Sequence, residues 1–449
     1  MVGFMENTLT SEEDIELEVV TTNTRREPAS LNITLHSGQI EEVVLEERSF
    51  RIHNIAAALL NIDSKKSFKG IRVDSNATIS VVGVNRVKTD SQNSMDLFAG
   101  VEYSSLGAQY FAVTSYHSSE ILIIGTTDNT RVTVALRTDS KYVVYEGTNY
   151  ENADIINETV DEFNTIQIQS AGDLTGTKIT ATHPISVFSG NKWFGFESGS
   201  RKGSYLVEQL LPLEQWGTRY VAVPPEEFSY VFKIVACADD TEIYLTCAEA
   251  NSDPLILKES GDFYMSDELN HACVITSSKQ FLVAMITSHI SDKDPSLIIA
   301  QPMETLLADV FLYVPTSFQS AELMLITTEN QSLPILDPQP LGVEFFSIDE
   351  EFFGMRIRVS EGVSVLAAPQ SYMHVSGYLH GTRYFGWGFE SFGYPLLPND
   401  FQDLTFFGYG KYQFQVLFTQ ENGYKPKKQI FFGNFVQVKQ QLISSAVNN

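Results

Sequence analysis

The chain has 449 residues, 43% of them hydrophobic, with 30 Lys and Arg against 56 Asp and Glu, a net charge of −26 and three cysteines. Size alone suggests about three domains; the apolar share supports packed cores, and three cysteines exclude a disulfide-stapled miniprotein. The acidic balance, with one small basic cluster at Lys425, Lys427 and Lys428, argues against a nucleic-acid partner, and no apolar run reaches the roughly 18 to 20 residues that span a bilayer.

The first residues, MVGFMENTLTSEEDIELEVV (1–20), show neither a basic start nor a continuous apolar stretch of the secretory type, which leaves an intracellular protein or a start lying upstream. IELEVVTTNT (15–24) then runs as a strand into a polar turn. Segment 55–62 is one of three pieces expected to be helical or irregular, with 206–216 and 303–309. GIRVDSNATISVVGVN (70–85) and DLFAGVEYSSLGAQYFAVT (96–114) follow as two further β-rich blocks.

The same three blocks then recur in the same order. EILIIGTTDNT (120–130), TGTKITATHPISVFSGN (175–191) and YLVEQLLPLEQWGTRYVAVP (205–224) form a second set. VFKIVACADDT (231–241), HACVITSSKQFLVAMIT (271–287) and LIIAQPMETLLADVFLYVP (297–315) form a third. AELMLITTENQ (321–331), GMRIRVSEGVSVLAAPQ (354–370) and the looser GYPLLPNDFQDLTFFGY (393–409) form a fourth, and QFQVLFTQENG (413–423) looks like the opening of a fifth. The turn positions Asn23, Asp128, Asp239 and Glu329 are 105, 111 and 90 residues apart.

Apolar residues alternating with polar ones, as in KITAT (178–182), and turns at Asp128-Asn129, Asp239-Asp240, His183-Pro184, Glu361-Gly362 and Ser75-Asn76 indicate short strands rather than helices. The expected fold is all-β: four tandem units of about 100 residues, either sandwich-like or large blades closing into a propeller-like ring. The units are expected at 1–109 (possibly truncated at its start), 110–219, 220–310 and 311–402, with a C-terminal β remnant at 403–449.

The strings LTGTKITATHPISVFSGNKW (174–193), YLVEQLLPLEQWGTRYVAVP (205–224) and GIRVDSNATISVVGVNR (70–86), with VGFMEN (2–7), resemble the N-terminal module of the IgGFc-binding protein family. The resemblance implies an extracellular or secreted, non-catalytic module serving adhesion, mucus-like matrices or surface recognition. Its partner would be a protein or glycan, with self-association a further mode. The loop 191–209 departs from the family pattern, carrying Trp193 and no cysteine where the pattern has a cysteine pair, so an Fc ligand is not carried over by it. A propeller-like interaction scaffold and a carbohydrate-active enzyme remain as alternatives.

Two loops share an aromatic-Gly-Phe-Glu-Ser core, KWFGFESGS (192–200) and RYFGWGFESFG (383–393). Exposed aromatics beside a carboxylate and an arginine suit protein or glycan contacts, so the candidate ligand-binding residues are Trp193, Phe194, Phe196, Glu197, Arg201, Arg383, Trp387, Phe389 and Glu390. The competing reading is that these aromatics plug the space between neighbouring units. The turn acids Asp128, Asp239, Asp240, Asp292, Asp294 and Glu329 lack the DxDxDG spacing of a calcium loop, so ordinary turn chemistry is expected and no metal. No HExxH, GxSxG or Walker pattern occurs, and His183, His289, His374 and His380 stand singly, so no catalytic residue and no cofactor is expected. Candidate N-glycan acceptors are Asn32, Asn76, Asn157 and Asn330.

Overall fold

The computed structural model describes residues 1–397 except 9–11, 24–26, 90–92, 196–202, 248–249, 252, 289–293, 308–309, 317, 319, 329–334, 338–341, 368–372 and 386–387. All of the described residues belong to one unit, Met1–Asp400. The C-terminal remnant, the possible fifth opening and the Lys425 cluster lie outside them. No helix among the described residues is long and apolar enough to cross a membrane.

The chain is all-β, as expected. Four antiparallel inner sheets share one strand order. From outermost to innermost, the first runs Ser49–Ile55, Ile15–Asn23, Ser80–Lys88, Asn93–Ala99. The second runs Asn164–Ser170, Ser119–Gly125, the later half of Lys178–Phe194, then Ser204–Gln209. The third runs Phe263–Met265, Ser229–Ala236, the later half of Cys273–Ser288, then Leu297–Ile299. The fourth runs Phe352–Ser360, Ser320–Thr328, Ser376–Phe385, Gly388–Pro395. Outside each lies a smaller sheet. In the second and third sets it is joined through the first half of the long strand, which pairs with Gly107–Phe111 and Thr130–Ala135, or with Gly217–Ala222 and Thr241–Cys247.

Alternation along the first strand of each inner sheet explains how the sheets meet. Ile121 and Ile123 pack with Val231 and Val235 of the third sheet, while Leu122 and Ile124 face Leu17 and Val19 of the first. Phe232 and Ile234 pack with Met324 and Ile326 of the fourth. Leu323 and Leu325 face Val20, Val82 and Val84 of the first. The four cores therefore link sheet one to two, two to three, three to four and four back to one, and the sheets close into a ring. Because both faces are buried, these strands read as unbroken apolar runs (ILII, MLI), and the alternation expected of every strand holds only for the outer sheets.

Three pieces of the sequence reading change. The segment 206–216 expected to be helical contains the innermost strand Ser204–Gln209, and only Leu213–Gln215 makes a 3-10 turn. Of the other two, 55–62 holds a single 3-10 turn at Ala57–Leu59, and 303–309 holds the short strand Leu306–Leu307. The block GMRIRVSEGVSVLAAPQ is out of phase with its three counterparts. It straddles two strands of different sheets, Phe352–Ser360 and Gly362–Ala367, and the counterpart of the long strand is Gly362–Ala367 together with Ser376–Phe385. The boundaries at 109/110 and 219/220 fall inside Gly107–Phe111 and Gly217–Ala222, whose hydrogen bonds go to the second and third sets.

Turn chemistry is local. Asn129 and Asp240 occupy equivalent turns with φ of 57° and 47°, a left-handed conformation that Asn and Asp tolerate. The Thr130 and Thr241 hydroxyls each donate to the carbonyl three residues earlier, at 2.7 Å. Asp128 and Asp239 each accept a backbone amide, from Glu162 and Ser260. Among the described residues no cluster of three His, Cys, Asp or Glu is arranged to hold a metal. Cys247 and Cys273 form a disulfide between paired strands, and Cys237 is a free thiol.

Candidate functional site

The four innermost strands meet around one buried carboxyl. Asp96, in Asn93–Ala99, is 0% exposed. Its Oδ1 accepts the amides of Leu97 at 3.0 Å and Gly393 at 3.3 Å, and its Oδ2 accepts those of Val207 at 3.1 Å and Leu297 at 3.4 Å. One donor comes from each innermost strand. Burial pushes the Asp96 proton affinity well up, and these four amides pull the other way. Glu208 is pushed up as well, by burial first and by the neighbouring Asp96 second.

A buried serine lies in each innermost strand or just before it: Ser94, Ser204, Ser296 and Ser391. The Tyr205 amide donates to Ser94 Oγ at 2.8 Å, and further along the Val101 amide donates to Gln209 Oε1 at 3.0 Å. These bonds hold the first two strands side by side in the same direction, and the shared Asp96 contacts set the other two at the same level. The hairpins that feed the four serines therefore all open at one end of the ring.

Charged groups gather at that end. Arg86 Nη1 lies 3.2 Å from Glu16, and Arg86 Nε lies 3.8 Å from Glu390. Arg383 grips Glu390 through Nε at 2.7 Å and Nη2 at 2.6 Å, and its guanidinium sits 5.2 Å over the Phe318 ring. Burial lowers the Arg383 pKa, and Glu390 opposes the shift. Asp294 is pushed up to about 8, by burial and then by Glu390, so it holds its proton at neutral pH.

The opposite end is closed by the links between sheets. A side-chain carbon on Gly107 would strike Pro212, and one on Gly217 would strike Pro302, so each link packs on the next. Gln215 Nε2 donates to the Ser105 carbonyl at 2.6 Å, and Val101, Leu106 and Leu211 cluster there.

The described ends of both candidate loops, 192–195 and 383–385 with 388–393, lie at the hairpin end. Trp193 is half-buried after a register shift between Asn191 and Phe194, with its indole against Gly203. Two residues expected in an exposed patch are corrected to the interior. Phe194 is 1% exposed, with its ring 5.3 Å from that of Tyr116, and Glu390 is 0% exposed and held by Arg383. Strand alternation turns Phe194 inward where Trp193 stays nearer the surface. Phe196, Glu197, Arg201, Trp387 and the Phe389 side chain lie outside the described residues, as do Asp292, Glu329, His289 and Asn330. Sequence reasoning missed Asp96 and Arg86; the serine in or just before each innermost strand was the available signal.

A model of the IgGFc binding protein family matches residues 96–373. The human IgGFc-binding protein is 30% identical over 203 residues, which cover 43% of this chain and 4% of that protein. The chain therefore spans a small fraction of the length of this relative. Among solved structures, a mutant major pilin of Streptococcus pyogenes matches at 8% identity and a TM-score of 0.15, covering 64% of this chain and 98% of the pilin. A tetra-tandem repeat from the extending region of a large adhesion protein matches at 10% identity and a TM-score of 0.09, covering 87% of this chain and 98% of that one. TM-scores this low establish no shared fold.

Proposed function

The chain belongs to the IgGFc-binding protein family, and from that premise we propose that it is an extracellular, non-enzymatic recognition module holding a protein or glycan ligand at the hairpin end of its ring. The observation that carries this reading is the convergence of the four hairpins at one end, on strands fixed by Asp96. A rigid frame with loops gathered at one rim is a common way to present contacts. The charged side chains there are spent on holding the frame: Glu390 is tied to Arg383, and Arg86 to Glu16. Ligand contacts then fall to the hairpins themselves, with Trp193 the foremost described candidate.

The four sheet sets correspond in this reading to four repeats, and an adhesive or mucus-like matrix role follows from presenting one such rim. The human relative's name makes an IgG Fc fragment the first protein probe, with a mucin-type glycoprotein as the glycan-bearing one. The test is capture by the immobilised full chain, wild type against Trp193→Ala. Binding of either probe, reduced by the substitution without loss of melting temperature, supports the reading. Capture of neither, or hydrolysis of the glycoprotein by the wild type, overturns it.

A further inference from the structure

Away from the hairpin end, the outer sheet of the second set carries a groove of about 640 Å3 on its solvent face. Its floor is a lattice of short polar side chains. Asn157 lies opposite Thr133, and Thr133 opposite Thr180, across three paired strands; Thr159, Arg131 and Thr182 continue the lining. Asn157 and Thr159 are the first and third residues of an Asn-Glu-Thr sequon. In a strand these two positions share a face, and both are exposed into the groove while Glu158 turns to the other side, where it accepts from the Tyr145 hydroxyl at 3.2 Å. The Thr133 hydroxyl donates to Asn157 Oδ1 at 2.9 Å, a bond that engages the amide oxygen and not the nitrogen, the atom that takes a sugar.

We propose that Asn157 carries an N-linked glycan whose first sugars are seated in this groove. The inference rests on the extracellular reading for the supply of the glycan. The co-reactant is a lipid-diphosphate oligosaccharide: the Asn157 Nδ2–H bond and the sugar C1–O bond break, a C1–Nδ2 bond forms, the lipid diphosphate leaves with the electron pair and the amide proton passes to a base. The Thr180 hydroxyl and the guanidinium of Arg131 match the hydroxyl and acetamido groups of the core sugars, while the Thr182 hydroxyl accepts the Arg131 amide at 3.0 Å. The other described sequons are built differently. Asn32 stands in a row between Glu42 and Asp74, and the Asn76 Oδ1 is taken by the Ser30 amide at 2.9 Å in a turn. Neither Asn32 nor Asn76 lines this groove.

The test is to express the full chain in mammalian cells behind a heterologous secretion leader, map glycopeptides at the three sites, and time glycan release by a peptide N-glycosidase before and after denaturation. The expected result is an occupied Asn157 whose glycan leaves the native protein roughly tenfold more slowly than the denatured one, a ratio equal to about 1.4 kcal/mol of protection. Thr182→Trp, which fills the groove from an exposed position, should keep the glycan and abolish most of that protection. An unmodified Asn157 in the secreted chain, or equal release rates before and after denaturation, overturns the proposal. Expression from the native start tests the extracellular reading separately, because retention in the cytosol would contradict that reading while the leader-directed chain still decides on Asn157.

Discussion

Asp96 gathers four amide donors in a fully buried site, one from each innermost strand. A buried donor left without its acceptor costs about 1 to 3 kcal/mol. Asp96→Ala should therefore destabilise the chain by at least about 3 kcal/mol in denaturant unfolding, even though the substitution removes a polar group from a buried site. Asp294 makes a second prediction. Its folded pKa of about 8 lies above that of an ordinary carboxyl, so the unfolded chain gives up this proton first as pH rises. The resulting stability is full below about pH 4, the ordinary Asp range, and is lost as pH climbs through 8; buried Glu120 and Glu208 act in the same direction. Melting temperature should fall between pH 5 and 8, and Asp294→Asn should flatten part of that slope. None of this was legible in the sequence, where Asp96 is one of 56 acids and its burial depends on strands about 100 to 300 residues away.

Most strands were legible, because polar turns at Asp128, Asp239 and Glu361 punctuate the apolar runs. Their phase in the fourth set was not: Phe352–Ser360 and Gly362–Ala367 mimic the long strand in composition but enter two different sheets. A repeated element escaped notice for a different reason. Arg72, Arg137 and Arg219 lie over the rings of Phe163, Phe263 and Phe352 at 5.6, 5.9 and 5.1 Å. Each arginine also pairs with an acid across the same junction, to Glu162, Asp262 and Glu351. Partners this far apart in the chain leave no local pattern. The cysteine count could not show that Thr241–Cys247 and Cys273–Ser288 bring Cys247 opposite Cys273. The bridge closes a sequence separation of 26 residues, so replacing both cysteines by Ala should cost about 2 to 4 kcal/mol in denaturant unfolding.

At the scale of the whole Met1–Asp400 unit, each inner sheet buries both faces against its two neighbours, so no sheet can leave without uncovering two cores. Calorimetry should therefore show one cooperative transition for this unit rather than four separate steps. The all-β class could be read from the sequence; closure could not, since it depends on Leu323 and Leu325 meeting Val20 and Val82 from opposite ends of the unit. Closure also sorts the connections, placing the described ends of the candidate loops at one end and the Pro212 and Pro302 links at the other. The most direct measurement is hydrogen exchange on the full chain with and without the probe that it captures. Peptides covering 86–95, 191–205, 286–297 and 383–391 should gain protection on binding, while those over 100–107, 210–217 and 300–305 stay unchanged. Protection at the link end, or confined to the outer sheets, would contradict a binding surface built from the four hairpins.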